Sequence, residues 1–97
     1  MIIRIVKLGF RTEEIEDFLT NFEENKENIR NFEGCHHLSL IRDIHQPHQF
    51  FTYSHWESED HLNNYRNSEL FKGIWEHTKP KFNQKPEAWS TEELYSS

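Results

Sequence analysis

The chain has 97 residues, and 17 Asp and Glu against 11 Lys and Arg give it a formal net charge of −6. This length fits one domain with one hydrophobic core, and the negative charge argues against binding to nucleic acid or to an anionic membrane surface. Only 34% of the residues are hydrophobic but 14% are aromatic, so we expect a core of few, large side chains. A core this small also favours a homodimer.

The sequence predicts a cytoplasmic protein. No apolar run approaches the roughly 20 residues of a membrane-spanning helix, and residues 1–7 are too few and too charged for a signal-peptide core. The single cysteine, Cys35, has no second cysteine with which to form an internal disulfide, which is consistent with a reducing compartment. We interpret Cys35 as a small buried residue rather than a reactive thiol.

The first predicted elements are a strand and a long helix. Residues 2–8 form a β-branched run that is apolar on both alternating faces, so this strand needs cover on both sides. Thr12 is the expected N-cap of a helix that runs to about Asn31 and has one apolar stripe against an acidic face. Gly34 suits a left-handed position after that helix.

A hairpin is predicted next. Residues 35–44 and 49–56 have extended patterns, and the turn residues 45–48 lie between them. The two segments should therefore pair as antiparallel strands.

Two short helices and a last strand complete the predicted elements. Ser58 and Ser68 are the expected N-caps of the two helices, and Pro80 should end the second one. Residues 81–97 contain an apolar pair at 88–89, which we interpret as an edge strand followed by a frayed tail after about residue 90.

The order of these elements predicts an α+β fold. Strand, helix, strand, strand, helix pair and strand make a ferredoxin-like split βαββαβ arrangement, with one antiparallel sheet and the helices on one face, in a single domain over residues 1–97. Because the first strand is apolar on both faces, the second sheet face should pack on another copy of the chain. The expected assembly is a dimeric α+β barrel.

The third predicted strand and the residues after it carry a recognisable pattern. An aromatic segment ends in Trp-Glu-Ser-Glu at 56–59, and Ser-Glu-Leu-Phe-Lys at 68–72 opens the second short helix. Together with Glu-Gly-Cys at 33–35, these motifs resemble the antibiotic biosynthesis monooxygenase domain family. The resemblance extends from the first strand to Trp89.

The resemblance implies a pocket between sheet and helices in each subunit of a dimeric barrel. Some members of the family oxygenate phenolic or quinol-type substrates with neither metal nor flavin. That chemistry works because an electron-rich phenolate itself reduces dioxygen, so the protein need only bind the ring, accept a proton and shelter the intermediate. The resemblance thus predicts a monooxygenase with no cofactor and with a small aromatic or quinol-type substrate.

The main alternative is a barrel that binds a small ligand without catalysis, such as a stress-response protein. Whether a polar atom of His55, Tyr53 or His37 reaches the pocket would distinguish the two, because an all-apolar pocket favours binding alone.

A related branch of the superfamily binds and degrades haem, and the sequence departs from it. That branch has an Asn on the first strand, a Trp on the first short helix and an iron-ligating His on the next. Here residues 2–9 contain no Asn, Tyr65 stands for the Trp and Trp75 for the His. His77 lies about 200° around a helix from Trp75, which makes it a poor substitute ligand.

The candidate catalytic residues are His55, Tyr53 and His37. His55 is the first choice as proton acceptor because it shares a strand face with Phe51 and Tyr53, and that aromatic face could line the pocket. His37 and Tyr53 are the next candidates for the same role. The alternative is that this face points into the dimer barrel and that His55 is an ordinary core histidine.

The candidate substrate-binding residues are aromatic. Tyr65, Phe71 and Trp75 lie on the inner faces of the two short helices, and Phe51 lies on the strand beside Tyr53. Core packing would explain these residues about as well as contact with a ligand.

No metal site is expected from the histidines. His36 and His37 are adjacent on a strand and therefore point to opposite faces. His45 and His48 flank the Pro47 turn, where they should be exposed and splayed.

Overall fold

The structure, a computed structural model, describes all residues 1–97 and consists of one four-stranded sheet with three α-helices. In chain order the elements are β1 (Ile2–Gly9), a 3₁₀ turn (Thr12–Glu14), α1 (Ile15–Arg30), β2 (Cys35–Arg42), β3 (Gln49–Trp56), α2 (Glu59–Arg66), α3 (Glu69–Thr78), a second 3₁₀ turn (Lys79–Lys81) and β4 (Glu87–Glu92). No helix has both the length and the apolar character needed to span a membrane.

The sheet has the strand order β2-β3-β1-β4, and every neighbouring pair is antiparallel. β1 pairs with β3 from Ile2 opposite Trp56 to Gly9 opposite Gln49, and on its other side it pairs with β4. β4 is therefore an edge strand. This topology confirms the predicted ferredoxin-like α+β fold.

The short helices begin at serine caps. The Ser58 hydroxyl accepts a hydrogen bond from the His61 backbone N–H at 3.2 Å, and the Ser68 hydroxyl accepts one from the Phe71 N–H at 3.1 Å. Each bond satisfies an N–H group that has no partner within the helix, so both predicted caps are confirmed.

The predicted cap at Thr12 is wrong. Thr12 is the first residue of a 3₁₀ turn and makes no capping hydrogen bond, and α1 begins later, at Ile15. Within this turn the Glu14 N–H donates to the Arg11 carbonyl at 2.9 Å, and the Ile15 N–H donates to the Thr12 carbonyl. Because backbone carbonyls already satisfy these N–H groups, a threonine hydroxyl is not needed there.

Gly34 connects α1 to β2 in a left-handed conformation, with φ at 89°. A Cβ at this position would lie 2.5 Å from side-chain atoms of His61. The Gly34 carbonyl also accepts a hydrogen bond from the Glu57 N–H at 2.8 Å, which ties the start of β2 to the end of β3. The left-handed position predicted from sequence is confirmed, and only glycine fits it without strain.

We expect Gly34→Ala to lower the free energy of unfolding by about 1–2 kcal/mol or more, because alanine disfavours this φ and its methyl group displaces His61. Gly73→Ala is the matched control. Gly73 lies inside α3 with open space around it, so alanine should stabilise the protein by about 0.5–1 kcal/mol. Urea unfolding of both variants would measure the difference, and changes of the same sign would contradict this account.

The hydrophobic core lies between the sheet and the helices, in two clusters. The first contains Leu8, Phe10, Phe18 and Phe50, and the second contains Cys35, Trp56 and Leu62. In the first cluster the ring centroids of Phe10 and Phe18 are only 4.2 Å apart. The core is thus aromatic, as the composition predicts.

Cys35 is buried in the second core cluster. Burial raises the pKa of its thiol above the ordinary value. It therefore stays a neutral, small core side chain, as expected.

The helices cover one face of the sheet and leave the other open. Strand alternation sends Arg4, Val6 and Leu8 toward the helices, and Ile3 and Ile5 away from them. We call the uncovered side the open sheet face. Its residues are Ile3, Ile5, Lys7, His37, Ser39, Ile41, Phe51, Tyr53, His55, Glu87, Trp89 and Thr91.

Candidate functional site

A cavity of about 360 Å³ lies between the sheet and the three α-helices. This volume is within the range typical of small-molecule sites. Its sheet wall includes Arg4, Val6, Leu8, Leu38, Thr52, Ser54, Trp56 and Ala88, and its helix wall includes Phe18, Phe22, Ile29, Leu62, Tyr65, Arg66, Phe71, Ile74, Trp75 and Thr78. Residues of both core clusters line it, Leu8 and Phe18 from the first and Trp56 and Leu62 from the second.

A row of aromatic rings forms one wall of the cavity. Trp56 on β3 stacks on Tyr65 of α2 with ring centroids 4.9 Å apart, and Tyr65 meets Phe71 of α3 edge-on at 5.3 Å. Phe71 and Trp75 are nearly parallel, with centroids 6.0 Å apart. Such a wall suits a flat, apolar ligand.

Three of the predicted substrate-binding residues, Tyr65, Phe71 and Trp75, line this cavity. α2 and α3 place them there because both helices are amphipathic and turn their apolar sides to the sheet. Their contact with a ligand remains a prediction.

The Tyr65 hydroxyl is a potential donor to a ligand. Burial raises the pKa of Tyr65 far above its ordinary value, and the Cys35 sulfur adds to the effect, whereas no hydrogen bond contributes to it. The phenol therefore stays protonated at neutral pH, with its O–H free to donate.

Two other hydroxyl groups of the cavity wall are already engaged. The Ser54 hydroxyl accepts a hydrogen bond from the Trp56 indole N–H at 3.0 Å, and the Thr78 hydroxyl donates to the Ile74 carbonyl at 2.7 Å. These bonds satisfy polar groups in a mostly apolar wall.

The cavity wall also contains two arginines, Arg4 on β1 and Arg66 at the end of α2. Sequence reasoning missed both. A signal was present, because Arg4 is the one charged residue in the run Met1–Val6 and lies on the same strand face as Val6.

The expectation that Phe51, Tyr53 and His55 line the pocket is wrong. Their common strand face is confirmed, but it is the open sheet face, and none of the three lines the cavity. Strand alternation gives the cavity side to Thr52 and Ser54 instead. The alternative stated above, that this face points into a dimer barrel, agrees with its orientation away from the helices, and its place in a dimer stays a prediction.

His37 is also on the open sheet face and outside the cavity. A β-bulge after Cys35 brings His37 opposite His55 in the β2–β3 ladder. The His37 and His55 rings are 5.1 Å apart, and Tyr53 lies 5.1 Å from His55. The three predicted catalytic residues thus form a cluster, but they do not reach a ligand in the cavity.

The histidines give no metal-binding arrangement. His36 and His61 both approach the Glu57 carboxylate, at 3.3 and 3.6 Å. No three His, Cys, Asp or Glu side chains are grouped as a metal ion would require.

A four-stranded antiparallel sheet with helices on one face and an aromatic-lined cavity between them defines a small α+β protein of the ferredoxin-like class. The family model for antibiotic biosynthesis monooxygenase matches residues 1–76 of this chain. The chain therefore belongs to the antibiotic biosynthesis monooxygenase family, as its motifs predict. Among curated proteins, none matches the chain significantly in sequence.

Solved structures share the fold. A structure described as an antibiotic biosynthesis monooxygenase superposes with a TM-score of 0.91 at 19% identity, covering 98% of this chain and 100% of its own. A conserved protein from Methanosarcina mazei Go1 gives 0.87 at 21% identity, covering 94% of this chain and 91% of its own. A protein from Mycobacterium tuberculosis gives 0.89 at 11% identity, covering 99% and 97%. At these identities the likeness concerns the fold alone.

Proposed function

We propose that this chain is a monooxygenase that uses dioxygen to oxidise a small aromatic, phenolic or quinol-type substrate without a metal or flavin. Membership of the family supports an oxygenase. The observation that carries the substrate class is the row of rings from Trp56 to Trp75 along a cavity large enough for a small aromatic molecule.

The proposed reaction converts a phenol with a free ring position into a quinone. One oxygen atom of dioxygen enters the ring as the second carbonyl. The other leaves as water, whose two hydrogens come from the phenol O–H and the ring C–H. The substrate supplies the electrons, so the protein contributes binding, orientation and exclusion of bulk water.

A monooxygenase of this kind needs a group that accepts the proton of the phenol, whereas a protein that only binds the ligand does not. A phenol with a pKa of about 10 is scarcely ionised at neutral pH, and no histidine lines the cavity to accept its proton. The absence of this base favours the second candidate function, a non-catalytic binding protein. It also leaves the haem alternative without a histidine ligand in the cavity.

Oxygen consumption distinguishes the two functions. A panel of naphthols and hydroquinones would be incubated with the protein, and dioxygen uptake would be compared with spontaneous oxidation in buffer. With a naphthol as substrate, labelled dioxygen should leave one labelled atom in the quinone product. Ligand binding without uptake above the spontaneous rate would reject the monooxygenase and support the binding protein.

We expect Tyr65→Phe to weaken binding of a phenolic ligand by about two- to tenfold, because it removes one hydrogen bond worth about 0.5–1.5 kcal/mol. The stacking of this ring on Trp56 at 4.9 Å should persist, so the melting temperature should change little. Calorimetric titration would measure the affinity. Unchanged affinity would show that the Tyr65 hydroxyl does not contact the ligand.

A further inference from the structure

Two arginines line a cavity that is otherwise mostly apolar. Arg4 is half-buried in β1, and Arg66 lies at the carboxyl end of α2. Neither forms a salt bridge with an Asp or Glu side chain. The partner of Arg4 is the neutral Ser90 hydroxyl, to which Nη1 donates at 2.9 Å. Glu87 borders the cavity, but its carboxylate lies on the open sheet face with Lys7, at 3.9 Å, and not beside the two arginines.

This arrangement is electrostatically unfavourable when the cavity is empty. Burial lowers the pKa of the Arg4 guanidinium, and the positive charge of Arg66, which lines the same cavity, lowers it further. Arg4 is the partly buried member of the pair, and a partly buried charge without a counter-ion destabilises a fold. The chain has 17 acidic residues, yet none of them is paired with these two arginines.

An anionic oxygen would relieve this cost. A carboxylate or phenolate can accept charge-assisted hydrogen bonds from guanidinium groups, which are stronger than bonds between neutral groups. The overall charge of −6 makes this pair of arginines a local exception on an acidic protein. Anions would therefore be attracted to this end of the cavity and not to the rest of the surface.

We propose that the cavity binds an aromatic ligand that carries an anionic oxygen, with the anion held between Arg4 and Arg66 and the ring against Phe71 and Trp75. The aromatic part rests on the proposed function, whereas the anionic part rests on the two unpaired guanidinium groups. A substrate bound as its phenolate would also need no protein base, which accounts for a cavity without histidine.

The test compares two ligands of nearly equal size and different charge, 2-naphthoate and 2-naphthamide, by calorimetric titration. The wild-type protein should bind the naphthoate at least about tenfold more tightly. Arg66→Met and Arg4→Met should each remove most of this preference, by weakening naphthoate binding much more than naphthamide binding. Because Arg66 is exposed, its replacement should not disturb folding even if that of Arg4 does.

Arg11→Met is the matched control. It removes a guanidinium that pairs with Glu13 and Glu14 and does not line the cavity, so the preference for naphthoate should persist. A third ligand, 2-naphthol, distinguishes a site for phenolates from a site for carboxylates. A phenolate site would bind 2-naphthol as its anion, so the absorption spectrum at neutral pH would shift to that of naphtholate. A carboxylate site would leave the spectrum of neutral 2-naphthol unchanged.

The outcomes separate this proposal from the proposed function. Equal binding of naphthoate and naphthamide, or a preference that survives Arg66→Met, would overturn the anion site and leave an aromatic cavity in place. Failure of both ligands to bind would overturn the anion site together with the aromatic substrate class.

Discussion

Replacing Ile5 by Asp should convert a dimer of this chain into a monomer. Ile5 lies at the centre of the open sheet face, opposite Tyr53 on β3 and Trp89 on β4. This face has no helices, and Ile41 and Trp89 are 52% and 45% exposed on it. Large apolar side chains exposed together on a sheet indicate a protein contact. A second copy of the sheet would bury them, on the order of 2,000 Å² in total.

His55 supports the same expectation. Its Nε2 is buried and has no hydrogen-bond partner within the chain, although buried polar atoms normally have one. A second copy packed on the open sheet face would bring new donors and acceptors to the cluster of His37, Tyr53 and His55. We therefore expect this cluster to lie in the dimer interface.

Light scattering would measure the effect. The wild type should have twice the chain mass of 11.9 kDa, and Ile5→Asp should have that mass once, because an unpaired carboxylate buried in an apolar interface costs several kcal/mol. Trp89→Glu, at the exposed edge of the same face, should act in the same direction if Ile5→Asp aggregates.

Ile44→Asp is the matched control for this experiment. It makes the same change at a residue that is 89% exposed in the turn after β2, outside the open sheet face. The control should remain dimeric. A wild-type monomer, or an Ile5→Asp protein of unchanged mass, would exclude the open sheet face as the interface.

The sequence predicted the fold because local signals agreed with one another. Ser58 and Ser68 start their helices, Gly34 takes a left-handed conformation and β4 pairs at the edge of the sheet. Thr12 shows the limit of such signals, because the backbone of a 3₁₀ turn satisfied the N–H groups that its hydroxyl was expected to cap.

The sequence could not show which face of β3 meets the helices. Phe51, Tyr53 and His55 are more aromatic than Thr52 and Ser54, and aromatic side chains were expected in the pocket. The structure turns Phe50 and Trp56 into the two core clusters on the helix side, and Thr52 and Ser54 between them border the cavity. The hydrophobicity of a strand face therefore does not show which face borders the pocket when a second copy of the chain is expected to cover the opposite face.

Two further features depended on tertiary structure. The bulge after Cys35 moves His37 into line with His55, and a single sequence gives no register for a bulge. Arg4 and Arg66 are 62 positions apart, by the difference of their numbers. Only the tertiary structure brings them to the same cavity.

Replacing Thr52 by Phe should abolish ligand binding and turnover. Thr52 lies on the cavity side of β3, opposite Val6 on β1 and Leu40 on β2. A phenyl ring at this position would occupy the volume in which the ligand ring must stack against the aromatic wall. We expect affinity for 2-naphthoate and the rate of oxygen uptake to fall by at least about a hundredfold, since the ligand loses the cavity itself.

Stability measurements make this result interpretable. Overpacking a filled core costs about 1–3 kcal/mol, whereas a ring inserted into an existing cavity should cost less, so the melting temperature of Thr52→Phe should stay close to that of the wild type. Thr20→Phe is the matched control, because Thr20 is exposed on α1 and lies outside the cavity. That variant should bind and turn over normally. A folded Thr52→Phe protein with unchanged affinity and turnover would show that the ligand binds elsewhere, and the open sheet face with His37, Tyr53 and His55 would then be the site to examine.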